Sequence, residues 1–329
     1  MKAPAFWWEN PGVAAALLSP LAAIYGGIAA RRLEQAGARV GIPVICVGNP
    51  TVGGAGKTPT AIAVARLLLA AGATPIFLSR GYGGRLPGPV RVEPSHRAAD
   101  VGDEPLLLAR VAPTIVARDR VAGAQLAKDQ GASVIVMDDG FQNPSLAKDF
   151  SILVIDAGRG LGNGKVLPAG PLRAPLAPQF ARASAILLVG TGRAVLAYRG
   201  SSPLPVFHGM LAPDGESVAS LKGRRTLAFA GIGDPEKFFA TLDLVGIEAH
   251  LRRSFADHHR YSARDAASLV AEAERLELQL VTTEKDLARL RGDLAVAELA
   301  ERARALPVSL QIAEMDEFRR VLLAACIRP

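Results

Sequence analysis

The hydrophobic pattern divides the chain into parts of different period. Residues 11–30, PGVAAALLSPLAAIYGGIAA, carry no charge over twenty positions, and about 20 helical residues at about 1.5 Å rise match the apolar thickness of a bilayer. Leu17, Leu21, Ile24 and Ile28 fall on one stripe at i, i+4, i+7 and i+11, with Trp7 and Trp8 ahead and Arg31 and Arg32 behind. Seven alanines and Pro20 against six Leu, Ile or Val make full insertion marginal. The pattern predicts, for residues 1–35, a helix that lies on or dips into a membrane surface. A cleaved secretory signal with Lys2 as its basic start, and a helix buried in the protein's own core, are the competing readings.

From residue 39 the text becomes ARVGIPVICVGNPTVGGAGKTPTAIAVARLLLAAG, a β-branched run, a glycine-rich turn and an alanine- and leucine-rich helix. A second short buried strand is expected at 133–142, SVIVMDDGFQ. Together they predict an α/β fold over 36–205, a P-loop NTPase-like core with a mostly parallel sheet. Pro213-Asp214-Gly215 between short extended pieces predicts a hairpin linker over 206–222, and the alternating strands and helices that follow predict a smaller α/β domain over 223–329.

The chemistry concentrates in the glycine-rich turn. In a strand–loop–helix context, the backbone N–H groups from Thr51, Val52, Gly53, Gly54, Ala55 and Gly56 onward cradle phosphates, Lys57 reaches the terminal ones, and the Thr58 hydroxyl suits Mg²⁺. The pattern G-x-x-x-x-G-K-[ST] wants glycine where this chain has Thr51, and the Gly53–Gly54 pair supplies the freedom elsewhere. Asp138 and Asp139, at a strand end, are the expected metal carboxylates. Guanine recognition would need [NT]-K-x-D; Thr283-Glu284-Lys285-Asp286 has its lysine one place late, so ATP is preferred. A kinase also needs a carboxylate near the terminal phosphate, and Asp103 or Glu104 ahead of LLLA serves, although the same residues make a helix cap. The 329 residues, net charge +7, favour anionic partners, and basic residues interleaved with aromatics are missing, so nucleic acid is not expected. Cys46 and Cys326 have no metal-ligand spacing and fit a reduced cytosolic setting.

GNPTVGGAGKTPT, SRGYGG at 79–84, GDEP at 102–105, DDGFQ at 138–142, LPAGPLR at 167–173, DHH at 257–259 and TEKD at 283–286 run in this order through the chain. In these motifs it resembles the tetraacyldisaccharide 4′-kinases of lipid A synthesis, whose P-loop shares the Thr51 departure. The resemblance implies transfer of the ATP γ-phosphate to the 4′-hydroxyl of a membrane-held acylated glucosamine disaccharide 1-phosphate, at the cytoplasmic face of the inner membrane, with no protein partner inferred. It implies Asp103 and His258 as the catalytic acid–histidine pair, His259 being the lesser candidate. Arg80, Tyr82, Glu104, Arg120, Gln142 and Arg173 are implied in substrate or phosphate binding, with Arg85, Arg159 and Lys165 as further cations near the motifs. Family members continue PLR with an acidic residue, where this chain has Ala174. The alternative from another class is a membrane-associated partitioning ATPase, which would carry a lysine at Val52; a soluble small-molecule kinase is the third.

Overall fold

The computed structural model describes residues 3–192 and 204–326, so Lys2 lies outside the described residues. One nine-stranded sheet and one four-stranded sheet organise the described residues. The large sheet contains β1 (Val44–Gly48), β2 (Pro75–Ser79), β3 (Val90–Arg91), β4 (Thr114–Val116), β5 (Val134–Asp138), β6 (Phe150–Asp156), β7 (Ala185–Val189) and β8 (Val206–Pro213). The smaller has β9 (Thr226–Ala230), β10 (Ala249–Ser254), β11 (Gln279–Thr282) and β12 (Arg304–Ala305), and β13 (Val308–Ile312) returns to the large sheet. The orders are β13-β8-β7-β6-β1-β5-β2-β4-β3 and β10-β9-β11-β12. Pairing is parallel except at β13–β8 and β3–β4, the two edges of the large sheet.

Continuous apolar runs form the middle strands because both faces are covered. On one face Ile45, Val47, Phe77 and Val136 meet Ala61, Val64 and Leu68 of the helix Lys57–Ala70. On the other, Cys46, Leu78, Ile135 and Met137 meet Ala124 and Ala127 of the helix Arg120–Asp129. After β1 the chain moves to β2, with β5 later filling the gap between them, and then crosses back to β6 on the other side of β1. The carboxyl end of β1 is therefore the point where connections diverge and a crevice opens.

The expected hairpin at 206–222 is not formed. β8 pairs parallel with β7 and antiparallel with β13, and the Pro-Asp-Gly turn leads into the helix Gly215–Leu221, capped by Asp214 accepting from the Ser217 N–H. The turn chemistry suited a helix start as well as a hairpin, and the partner for β8 came from the end of the chain instead. The last strand and the helix Met315–Cys326 likewise complete the large sheet, with Phe318 edge-on to Phe207 at 5.0 Å. The smaller sheet thus spans 226–305, and the residues after it belong with the first domain.

The helix Val13–Glu34 turns Ala15, Ala22 and Gly26 inward, Gly26 against Val166 and Pro175. Leu17, Leu21, Ile24 and Ile28 are 75%, 58%, 65% and 54% exposed, so the apolar stripe faces away from the protein. Trp7 and Trp8 are half-buried instead of free: the Trp7 indole donates to the Pro168 carbonyl at 3.0 Å, and the Arg159 guanidinium lies over the Trp8 ring. An indole N–H close to a protein carbonyl takes that partner before a lipid headgroup.

Phe318→Ala should destabilise the large-sheet domain by about 3–5 kcal/mol, the cost of emptying a buried aromatic site. Urea unfolding should show a lower midpoint at unchanged slope. A loss below about 0.5 kcal/mol would mean the C-terminal helix is no part of that core.

Candidate active site

The register of two strands builds the centre. Val47 of β1 lies beside Asp138 of β5, so the loop leaving β1 passes the carboxylates that end β5. Gly56, at φ +91, turns that loop into the helix Lys57–Ala70; a Cβ there would also come within 3.3 Å of Val189. Gly53 is at φ +104 with open space around it, and the Asn49 side-chain amide donates to its carbonyl at 3.1 Å. The PAGPLR segment braces the loop: Val52 N–H donates to Pro171 O at 2.9 Å, Arg173 N–H to Pro50 O at 2.8 Å, and Arg173 Nε to Thr51 O at 3.1 Å. Thr51 pairs antiparallel with Leu172 in this brace, which needs an extended residue where the usual pattern has glycine.

Thr58 Oγ1 donates to Asp138 Oδ2 at 3.1 Å, while Asp138 Oδ1 is buried without a partner. Burial, with the Glu104 and Asp139 charges nearby, pushes the Asp138 carboxyl up to about 7. A carboxylate oxygen left open beside a hydroxyl is the donor set that Mg²⁺ takes when phosphates complete its shell. Among the described residues no cluster of three or more His, Cys, Asp or Glu forms a metal site without such phosphates. Asp139 points elsewhere: at φ +55 it receives Arg173 Nη1 at 2.7 Å and Nη2 at 3.3 Å, with Lys57 Nζ at 3.7 Å. Burial would raise its pKa, but Lys57 and Arg173 hold it below the ordinary value; burial lowers that of Lys57.

Of the expected phosphate binders, Arg173 is thus committed to Asp139 and Thr51. Gln142 is committed to Asn49 O at 2.9 Å and Gln179 Oε1 at 3.1 Å. Arg120 is buried, with Nη1 on Ala117 O and Nε unpartnered; burial and nearby Arg80 pull its pKa down to about 10. Arg80 is exposed. Arg85 pairs with Asp100 and Arg159 with Asp234, both at 2.7 Å, and Lys165 is exposed. Ala174 is buried in the core, and its carbonyl accepts from the Gln179 amide at 2.8 Å, which leaves no site for a carboxylate there.

Asp103 is the first residue of the helix Asp103–Leu108, whose N-cap is Gly102, and its carboxylate serves the first turn as well as the site. Its Oδ1 accepts the Glu104 N–H at 3.0 Å, and its Oδ2 faces the second domain. There it meets Arg289 Nε at 2.7 Å, Arg289 Nη2 at 2.5 Å and His258 Nδ1 at 3.6 Å. Burial would raise the Asp103 pKa, but His258, Arg289 and Lys285 hold it well below the usual carboxylate range. Asp103 in turn raises that of His258, whose ring lies 4.9 Å from the exposed Tyr82 ring. His259 is instead stacked on Phe255 and bonded to Asp265, a structural histidine. Glu104 accepts from Lys285 at 2.5 Å. Sequence reasoning missed Lys285 and Arg289. TEKD was visible, but nothing in its spacing said that it faces GDEP some 180 residues earlier.

With metal chelated, Asp138→Asn should raise stability at pH 8 by about 1–3 kcal/mol, since it removes a buried ionised group with an open oxygen. The folded chain keeps the Asp138 proton up to about pH 7, where the unfolded chain has already released it. That group therefore makes stability fall as pH rises through this window, and the gain should shrink towards pH 5. Thermal unfolding of both chains at the two pH values checks it; equal midpoints at pH 8 would contradict it.

A model of the family "Tetraacyldisaccharide-1-P 4'-kinase" matches residues 14–327. Among similar proteins, the tetraacyldisaccharide 4'-kinase of Methylobacterium sp. (strain 4-46) is 56% identical over 100% of this chain and 98% of its own. That of Nitrobacter winogradskyi is 53% identical over 98% and 97%. The crystal structure of the "apo" form of LpxK from Aquifex aeolicus in complex with ATP superposes with a TM-score of 0.76 at 27% identity, covering 95% of this chain and 99% of that one. A match of this extent sets aside the partitioning ATPase: the chain belongs to the tetraacyldisaccharide-1-P 4'-kinase family of phosphotransferases.

Proposed function

We propose that the chain transfers the γ-phosphoryl group of ATP to the 4′-hydroxyl of an acylated glucosamine disaccharide 1-phosphate at a membrane surface. The observation that carries this reading is a P-loop, an open Asp138 oxygen and Asp103 on one domain, with His258 brought to Asp103 by the other. The loop N–H groups and Lys57 bind the triphosphate, and Arg173 keeps Asp139 turned towards Lys57. Thr58 and Asp138 would hold Mg²⁺, which supplies neutralisation of charge on the β- and γ-phosphate oxygens. Arg120, with its unpartnered Nε, is a buried cation available to substrate phosphate.

In the transfer, the 4′ oxygen forms its bond to the γ-phosphorus as the bond from that phosphorus to the β–γ bridging oxygen breaks, and ADP leaves. The hydroxyl proton passes to the Asp103–His258 pair. Asp103 was expected as the base, yet its Oδ2 is taken by Arg289 and its pKa is depressed, which makes it a poor acceptor by itself. The imidazole takes the proton, and Asp103 stabilises the imidazolium. The exposed Leu17–Ile28 stripe lies on the membrane, and the acyl chains remain in the lipid. The face is cytoplasmic, where ATP is available.

Label transfer from ATP to the acylated acceptor in mixed micelles tests the reading, with water and the deacylated sugar as competitors; label found only in free phosphate would refute it. Asp103→Asn should cut kcat by about 10²–10⁴-fold with little change in ATP affinity. It removes the negative charge that raises the His258 pKa, so the acid limb of kcat against pH should move to lower pH. Serine at Leu17, Leu21, Ile24 and Ile28 together should weaken binding to anionic vesicles by at least about 10-fold and raise KM for the acylated acceptor; unchanged vesicle binding would return the helix to a purely structural role.

A further inference from the structure

Gly231, just past β9, is the peptide from which two cleft side chains hang. Its N–H donates to Asp286 Oδ1 at 3.0 Å, and its carbonyl accepts both the His258 N–H at 3.0 Å and Arg289 Nη1 at 2.7 Å. Asp286 is wholly buried, and its carboxylate also accepts from the Tyr261 hydroxyl at 2.9 Å, Thr283 Oγ1 at 2.6 Å and Arg289 Nη1 at 2.7 Å. Four donors on one buried carboxylate make a rigid mount. His258 sits at φ +55, a left-handed conformation that a non-glycine residue keeps where neighbours hold it. The bond to Gly231 is what enforces it here.

We infer that Arg289 is a positioning residue for the proton-accepting pair: from the second domain it fixes Asp103 Oδ2, while the Gly231 carbonyl that anchors it also anchors the His258 backbone. The inference rests on the reading of Asp103 and His258 as that pair. Oδ2 is approached by three nitrogens, and the two from Arg289 take the short distances, 2.7 and 2.5 Å. The imidazole Nδ1 is left at 3.6 Å, outside hydrogen-bond range. The guanidinium therefore sets how closely the imidazole couples to the carboxylate.

The groups around His258 give the effect a sign. Asp103 faces it from the helix Asp103–Leu108, Arg289 from the helix Glu284–Leu290, Asp257 at 3.8 Å from its own loop, and Tyr82 from the 79–84 loop; Lys285 and Glu104 pair behind Asp103. Removing Arg289 frees Oδ2 for the imidazole and deletes a positive neighbour. Both changes favour the imidazolium.

The test compares Arg289→Met, Arg289→Lys and Asp103→Asn in the full chain, measuring kcat against pH, KM for ATP and the thermal midpoint. Arg289→Met should lose about 10²-fold in kcat, the scale of a misplaced reacting group, with KM for ATP unchanged. Its acid limb should move to higher pH, opposite to the shift of Asp103→Asn. Arg289→Lys, which keeps the charge without the fork, should return the limb to the wild-type position while kcat stays reduced. An Arg289→Met chain whose limb stays in place overturns the inference, whatever its midpoint. If that chain does not fold, Arg289→Lys decides: reduced kcat at an intact midpoint supports the role, and wild-type kcat overturns it. Should Asp103→Asn leave the limb unmoved, the reading of the pair falls; should it move the limb where Arg289→Met does not, only the role of Arg289 falls.

Discussion

The parallel pairing of β1 with β5, Val47 beside Asp138, is the constraint on which the site depends. It brings the loop leaving one strand over the carboxylates ending the other, and from that follow the Thr58–Asp138 bond and the approach of Lys57 to Asp139. Side chains alternate along a strand, so a slip of one residue would exchange Asp138 with a core neighbour and turn Asp139 away. Both strands are buried at every position, which leaves little room for such a slip.

Several acidic groups gathered at a dry strand end repel one another, and the chain answers with cations from different distances. Arg173 comes from the PAGPLR brace and Lys57 from the loop, whereas Lys285 and Arg289 come from the second domain, onto Glu104 and Asp103. The division has a logic. Asp139, beside the glycine-rich loop, is steadied within the first domain, and Asp103 and Glu104 are steadied from the second, so the arrangement of acidic groups there depends on how the two domains meet.

Local pattern carried much of this. The strand–loop–helix, the strand ending in Asp138-Asp139 and the outward stripe of the first helix are written in spacing and period, and the structure has all three. Residues 206–222 misled because a Pro-Asp-Gly turn serves equally well before a helix, and because the partner of β8 lies about a hundred residues away. The approach of Arg289 to Asp103 could not be read from spacing either, since contacts between domains leave no periodic trace along the chain. Arg173 is a subtler case: its residue type suits phosphate, and in the structure its guanidinium pairs bidentately with Asp139, a partner that the sequence spacing did not point to.

The segment from Asn163 to Pro175 touches everything that must be kept at one height. Asn163 bonds to the backbone at Phe6 and Trp7, Val166 and Pro175 seat Gly26, and Arg173 ties the segment to Thr51 and Asp139. Because Ala15, Ala22 and Gly26 present so little bulk, the helix lies close against this short strut. On the proposed reading, in which the stripe rests on lipid, the helix would work as a gauge block: its depth in the interface would set the elevation of the Thr51–Gly56 loop above the bilayer, and hence how far a sugar headgroup must rise from the lipid plane to react.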